Sequence, residues 1–255
     1  MAFKTYEDYN YSLKSLKDYQ PDVTFEDLTY KFLKEYEIWL NVVKKRNQTS
    51  RARNFIAIRK FLNIAINYKL TTNYPFKEFK FSPGKKERDY LLESELKALQ
   101  DLFDSNKLSK RHQDVLANFL FTCYTGIAGD DMKNKHRFNV SEDSITFERG
   151  KTNKPTKVPL TKLAKRMLPE IQNRKLKLKI SEVSIDLAKI FEVAKINKTI
   201  TYHGGRHTFA IISLMKGISL SVISKVLGHT STKTTEIYAK VVDELLNQEM
   251  KKWDD

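Results

Sequence analysis

Three residues that can do charge chemistry stand close together in Tyr-His-Gly-Gly-Arg-His-Thr-Phe, namely His203, Arg206 and His207. His229 follows in Val-Leu-Gly-His, and Tyr238 lies nine residues beyond it. A tyrosine hydroxyl, with an ordinary pKa near 10, is a poor nucleophile at neutral pH. It becomes useful only when neighbouring cations stabilise the charge that develops on its target. Cations of that kind are concentrated here, because residues 193–235 contain no Asp or Glu. His203 and Arg206 are three apart, so on a helix both point the same way. His229 and Tyr238 would be about 13 Å apart on one straight helix. Gly228 is a natural helix stop, and the Thr and Ser residues after His229 permit a break that folds Tyr238 back.

Two further stretches bear on the same chemistry. "TCYTGIAGDD", residues 122–131, ends an apolar run and turns sharply polar at Asp130 and Asp131. "SITFERGKTNKPTKVPL", residues 144–160, alternates and is rich in β-branched residues, the pattern of a β-hairpin turning at Thr-Asn-Lys-Pro. If Ile145 to Lys151 is one strand, Arg149 and Lys151 share a face, about 7 Å apart. Gly150 between them lets backbone come close to a ligand. A metal centre is not expected, since Cys123 is the lone cysteine and no Cys/His cluster accompanies it. A small buried hydrophobe is its expected role. Neither a P-loop nor clustered carboxylates occur, so no cofactor is called for.

The elements that must position these groups are mostly helical. Phe25, Leu28, Phe32, Trp39, Leu40 and Val43 recur at helical spacing after Thr24 and Asp27, which have the spacing of a capping box. A second helix is expected over about 50–67, with Phe55, Ile58, Leu62, Ala65 and Ile66 on its inner face. Residues 73–90 break all periodicity with Pro and Gly and carry Lys85, Lys86 and Arg88, so they read as a basic linker. Helices resume near Ser94 and from Lys110 to Tyr124, the latter stopping at Gly126. The remainder is mostly helical, and Val242, Leu245, Leu246, Met250 and Trp253 form an apolar stripe in the final stretch. The divisions expected are a helical domain over 1–82, the linker at 83–90, a catalytic domain over 91–240 and a tail helix over 241–255. No internal repeat is visible.

Charge points to the partner. The 255 residues hold 46 Lys+Arg against 31 Asp+Glu, a formal +15, and the pI is about 9.6. Such an excess selects polyanions, nucleic acid above membrane. The apolar run Val115–Ala128 is too short to span a bilayer, and the N-terminus lacks a signal peptide's apolar core, so a soluble cytoplasmic protein is expected. Residues 38–77 are also free of Asp and Glu. Lys44, Lys45, Arg46, Arg51, Arg53, Arg59, Lys60, Lys69 and Lys77 lie there and are expected to contact phosphates, with Lys85, Lys86, Arg88 and Lys154.

Taken in order, these motifs resemble the tyrosine recombinases, also called the phage integrase family. Thr125-Gly126-Ile127-Ala128, Lys151 on a hairpin, His203-Gly-Gly-Arg206-His207, Leu227-Gly228-His229 and Tyr238 match the family's order and spacing, and only Ala128 departs from it. The resemblance covers almost the whole chain. It implies a mainly α fold, with a helical SAM-like core-binding domain and a mixed α/β catalytic domain carrying a small β-sheet. It further implies an integrase of a phage or integrative mobile element, acting on double-stranded DNA recombination sites as a homotetramer through a Holliday junction. Accessory DNA-bending proteins are possible partners. By the same resemblance Tyr238 is the nucleophile, forming a 3′-phosphotyrosyl bond. Arg206 and His229 grip the phosphate, Lys151 protonates the leaving oxygen, and His203 orients the phosphate or assists the proton transfer. His207 and Asp131 are supporting residues. No metal or cofactor is implied.

At position 128 the family has Arg and this chain has Ala. Loss of one preorganised donor costs roughly a hundredfold to a thousandfold in rate. Arg149 is the expected replacement. Two rival readings remain at the level of sequence: a recombinase crippled by Ala128, natural or engineered, that only binds DNA, and a type IB topoisomerase-like enzyme.

Overall fold

The structure, a computed structural model, describes residues 3–84, 89–150, 153–172 and 180–228. It divides into two compact units, Met1–Glu87 and Arg88–Asp255.

In the first unit α1 (Phe3–Tyr19), α2 (Tyr30–Val42) and α3 (Gln48–Asn67) pack together. Their core is Leu16, Leu28, Leu33, Tyr36, Leu40, Phe55, Ile58, Leu62, Phe76 and Phe79. The expected stripe is therefore largely buried, but Val43 is exposed. Thr24 and Asp27 do not cap a helix. The Asp27 carboxylate accepts from the Thr24 backbone N–H at 2.8 Å and from its hydroxyl at 2.7 Å in an isolated turn. The helix begins six residues after Thr24, where the Thr29 hydroxyl accepts from the Phe32 N–H. Local side-chain bonding satisfied the same Thr/Asp pattern without a helix behind it.

The second unit is built around α5 (Lys110–Thr125), buried along most of its length. α4 (Glu93–Asp104), α7 (Lys162–Gln172), α8 (Ile180–Val193) and α9 (Tyr202–Met215) pack against it. Cys123 lies inside that core, and burial holds its thiol well above the ordinary pKa. α5 stops where expected: Gly126 is left-handed, with φ of 68°. A single-turn α6 (Gly129–Met132) leads to an antiparallel sheet of β1 (Asn139–Val140), β2 (Ser144–Glu148) and β3 (Pro155–Pro159), in the order β1-β2-β3. α10 (Leu220–Leu227) packs on α9 through Ile211, Leu214, Ile223 and Leu227.

The hairpin differs from expectation in one respect. β2 ends at Glu148, and the Arg149 N–H donates to the Lys154 carbonyl while its own carbonyl accepts from Asn153. Arg149 is thus the first residue of the turn and not part of the strand, and the expected shared face with Lys151 falls on a residue outside the described ones. The tight Arg149–Asn153 closure takes over from the strand ladder because Asn153 adopts a left-handed conformation, φ 50°.

Candidate active site

Four elements meet at the C-terminus of α10. α10 ends at Leu227 with Gly228 left-handed, φ 62°, leaving last-turn carbonyls that need donors. Arg206, one turn into α9 and only 6 % exposed, donates from Nη2 to the Leu227 carbonyl and from Nη1 to the Gly126 carbonyl at 2.7 Å. Arg149, only 8 % exposed, donates from Nη2 to the adjacent carbonyl, that of Val226, at 3.1 Å. Two guanidiniums from unrelated parts of the chain therefore cap consecutive carbonyls of one helix. A cation is favoured at that negative end of the helix dipole.

Arg149 is held from three more directions. Its Nε donates to Thr156 Oγ1 at 2.9 Å, its Nη1 lies 3.8 Å from the Asp131 carboxylate, and it sits 6.0 Å over the Phe147 ring. Burial pulls its pKa down and Asp131 pulls it up; the ordinary value of a guanidinium is so high that it stays charged. Gly228 makes the position possible, because a Cβ there would lie 2.5 Å from Arg149 Nε and 2.7 Å from its Cζ. A guanidinium has five N–H donors, and among the described residues two of Arg149's hydrogen bonds use Nε and Nη2.

The turn that carries Ala128 borders this cluster. Ala128 precedes α6, in extended conformation. Asp131 on α6 accepts from the Gly150 N–H at 3.1 Å, so one carboxylate ties the motif turn to both residues that open the hairpin loop. His203 is exposed on the first turn of α9, and His207 is buried beneath it, with ring centroids 4.9 Å apart and planes at 86°. His203, Arg206, His207, Asp131 and Arg149 thus belong to elements that meet around α6, α9 and α10. Lys154 is exposed on the hairpin. Lys151, His229 and Tyr238 lie outside the described residues, as do Lys85, Lys86, Arg88 and the tail stripe from Val242 to Trp253. In the first unit Lys44, Lys45, Arg46, Arg53, Arg59, Lys60, Lys69 and Lys77 are exposed, and Arg51 is half-buried.

Sequence reasoning missed three members of the cluster. Thr156 and Val226 contribute a hydroxyl and a backbone carbonyl, which leave no signature. Tyr202, directly before His203, is 3 % exposed and reaches into α5. Among the described residues no group of three or more His, Cys, Asp or Glu could hold a metal ion, and no helix is long and apolar enough to cross a membrane.

The phage integrase SAM-like domain matches residues 2–81, and the phage integrase family domain matches residues 89–244. The chain belongs to the phage integrase family, the tyrosine recombinases. It is 28 % identical over 240 residues to the tyrosine recombinase of Pseudothermotoga lettingae, covering 88 % of this chain and 82 % of that one. Its fold is shared with the Tn1549 transposon integrase in complex with circular intermediate DNA, at a TM-score of 0.76 and 13 % identity, over 93 % of this chain and 90 % of that one. It is also shared with a lambda integrase tetramer bound to a Holliday junction, at 0.73 and 17 %, over 93 % and 72 %.

Proposed function

We propose that this chain is a site-specific DNA recombinase in which Arg149 supplies the guanidinium absent at Ala128. The observation that carries the reading is the pairing of Arg149 and Arg206 on the consecutive carbonyls of Val226 and Leu227. Both charges are anchored by the residues leading into Leu227-Gly228-His229, so His229 enters the same locality in sequence. Tyr238 Oη attacks the scissile phosphorus, an oxygen–phosphorus bond to the protein forms, and the bond to the 5′-oxygen breaks. Lys151 gives that oxygen its proton, and His203 orients the phosphate or assists removal of the Tyr238 proton. Arg149, Arg206 and His229 stabilise charge on the non-bridging oxygens. Attack by a 5′-hydroxyl of a partner strand reverses the step and joins new ends, with the phosphodiester bond's energy retained in the adduct.

Catalysis in pairs on a homotetramer, through a Holliday junction, is part of the proposal. It is supported by the shared fold with an integrase described as a tetramer on such a junction. Work on DNA in the cytoplasm is part of the same proposal.

Ala128 itself favours one other reading, a binder of recombination sites that does not cleave. A nicked half-site suicide duplex separates them. A covalent adduct that forms with the parent protein and is lost in Tyr238→Phe supports the recombinase. Absence of an adduct with the parent supports the silent binder, and an adduct indifferent to DNA sequence supports a type IB topoisomerase-like enzyme. Arg149→Ala is expected to slow adduct formation roughly a hundredfold to a thousandfold, the cost of one preorganised donor. An unchanged rate would remove Arg149 from the site.

A further inference from the structure

Tyr202 occupies an unusual place in the second unit. It opens α9 one residue before His203, yet its side chain turns inward. Its hydroxyl donates to the Asn118 carbonyl at 3.0 Å and accepts from Thr122 Oγ1 at 3.1 Å, and Asn118 and Thr122 are both fully buried in α5. Its ring stands edge-on to Phe119 at 6.2 Å. On another side the ring lies against Gly129, where a Cβ would come 2.9 Å from Cδ1 and 3.1 Å from Cε1. Burial raises the phenol's pKa, so it is a neutral anchor at every working pH.

Gly129 is the first residue of α6 and the residue after Ala128. Two positions on, Asp131 holds the Gly150 N–H and faces Arg149. One continuous path therefore runs from the α5 backbone through the Tyr202 ring to Gly129, along the single turn of α6, and through Asp131 to Arg149. An arginine at position 128 would be carried by this turn itself. Arg149 comes from the hairpin, so its placement depends on how the turn is seated.

We propose that Tyr202 is a positioning residue for Arg149: its ring is the seat of α6, and Gly129 is the glycine that lets α6 sit close enough for Asp131 to hold the hairpin end. Leu at position 202 removes the seat, Phe keeps it, and Ala at position 129 pushes α6 off it. The proposal rests on the reading of Arg149 as the replacing guanidinium, and its test separates the two.

The test is a double-mutant cycle on the rate of adduct formation with a suicide duplex, beside the affinity for uncleaved DNA. Tyr202→Leu and Gly129→Ala are each expected to slow the rate about 10- to 100-fold, with affinity within about threefold, and Tyr202→Phe to restore most of what Leu loses. The decisive arm combines each with Arg149→Ala. If Tyr202 acts through Arg149, the added loss shrinks to about threefold or less, because there is no longer a guanidinium to misplace. If the losses multiply, Tyr202 serves only the fold and the proposal is overturned. If Arg149→Ala alone leaves the rate intact, the underlying reading fails instead. Should Tyr202→Leu not fold, Gly129→Ala runs the same cycle with the ring in place.

Discussion

At the scale of single residues, the site depends on a glycine as much as on its cations. Gly228 is left-handed and its missing side chain is the space that Arg149 fills. Ala at this position meets two penalties, a left-handed backbone costing about 1–2 kcal/mol and a collision with Nε and Cζ. Arg149 holds that end of α10 only through the Val226 carbonyl and is a side chain rather than backbone, so Arg149 is the partner that yields. Gly228→Ala is therefore expected to lower Tm by a few degrees and slow adduct formation at least tenfold, read by a melt and by the suicide duplex. Arg149→Lys is expected to recover little of the loss from Arg149→Ala, because an ammonium lacks the fork that reaches Val226 and Thr156 together. The sequence pointed to Arg149 through its charge and its nearness to Lys151, and its burial against α10 has a different origin. Strand alternation alone would set it on the buried face of Ile145 and Phe147, but the strand ends at Glu148 and the side chain reaches α10 from the turn. A helix end with carbonyls to fill cannot be read from a hairpin's own sequence.

At the scale of elements, α5 is the scaffold and Gly126 its exit. The left-handed Gly126 ends α5, its carbonyl takes a hydrogen bond from Arg206, and a Cβ there would lie 2.6 Å from Phe209 and 2.7 Å from Leu227. Gly126→Ala is expected to destabilise the second unit by about 2–3 kcal/mol, strain and overpacking together. A denaturant melt should show that loss, and cleavage should slow further than Tm alone explains. This stop was legible because a glycine after an apolar helical run has few other uses. Thr24 and Asp27 were misread because the same hydroxyl-to-carboxylate spacing closes a free turn as readily as it caps a helix. The first unit's core offers a pH test. Tyr36 is fully buried, with its hydroxyl 3.2 Å from Ser15 and 3.3 Å from Asn54, and burial raises its pKa to about 12. An unfolded tyrosine titrates near 10. The neutral phenol's contribution is thus complete below pH 10 and is lost as pH rises through 12, by about 3 kcal/mol in all. Tyr36→Phe should lose about 1 kcal/mol at neutral pH and show a shallower fall in stability between pH 10 and 12, measured by denaturant melts on both proteins.

At the scale of the whole molecule, net charge points to a polyanion, and it fell to the structure to sort the cations. The acid-free stretch over 38–77 names nine basic residues, which sequence alone treats as equals. Several are engaged within their own unit. Lys44 pairs with Asp18 at 3.2 Å and stands 4.9 Å over Trp39, Arg46 hydrogen-bonds the Tyr11 hydroxyl, and Arg51 donates to Asn41 and to the Arg46 carbonyl. Arg59 lies 5.2 Å over Phe81 and Lys60 5.2 Å over Tyr9. Long-range pairings of this kind come from α1 and the segment after α3, which no local reading connects to the basic run. Lys45, Arg53, Lys69 and Lys77 are exposed, with none of these contacts described for them. Each phosphate neutralised on duplex DNA contributes about 0.9 to the slope of log K against log salt. If the first unit grips phosphates with its uncommitted cations, Lys45→Ala with Arg53→Ala should lower that slope by about 2 in binding titrations across salt. Lys44→Ala, which also frees Asp18, should shift it by less than Lys45→Ala does. Equal slopes for the double variant and the parent would move the phosphate contacts of this unit onto its other exposed cations, Lys69 and Lys77 or the aromatic-backed Arg59 and Lys60.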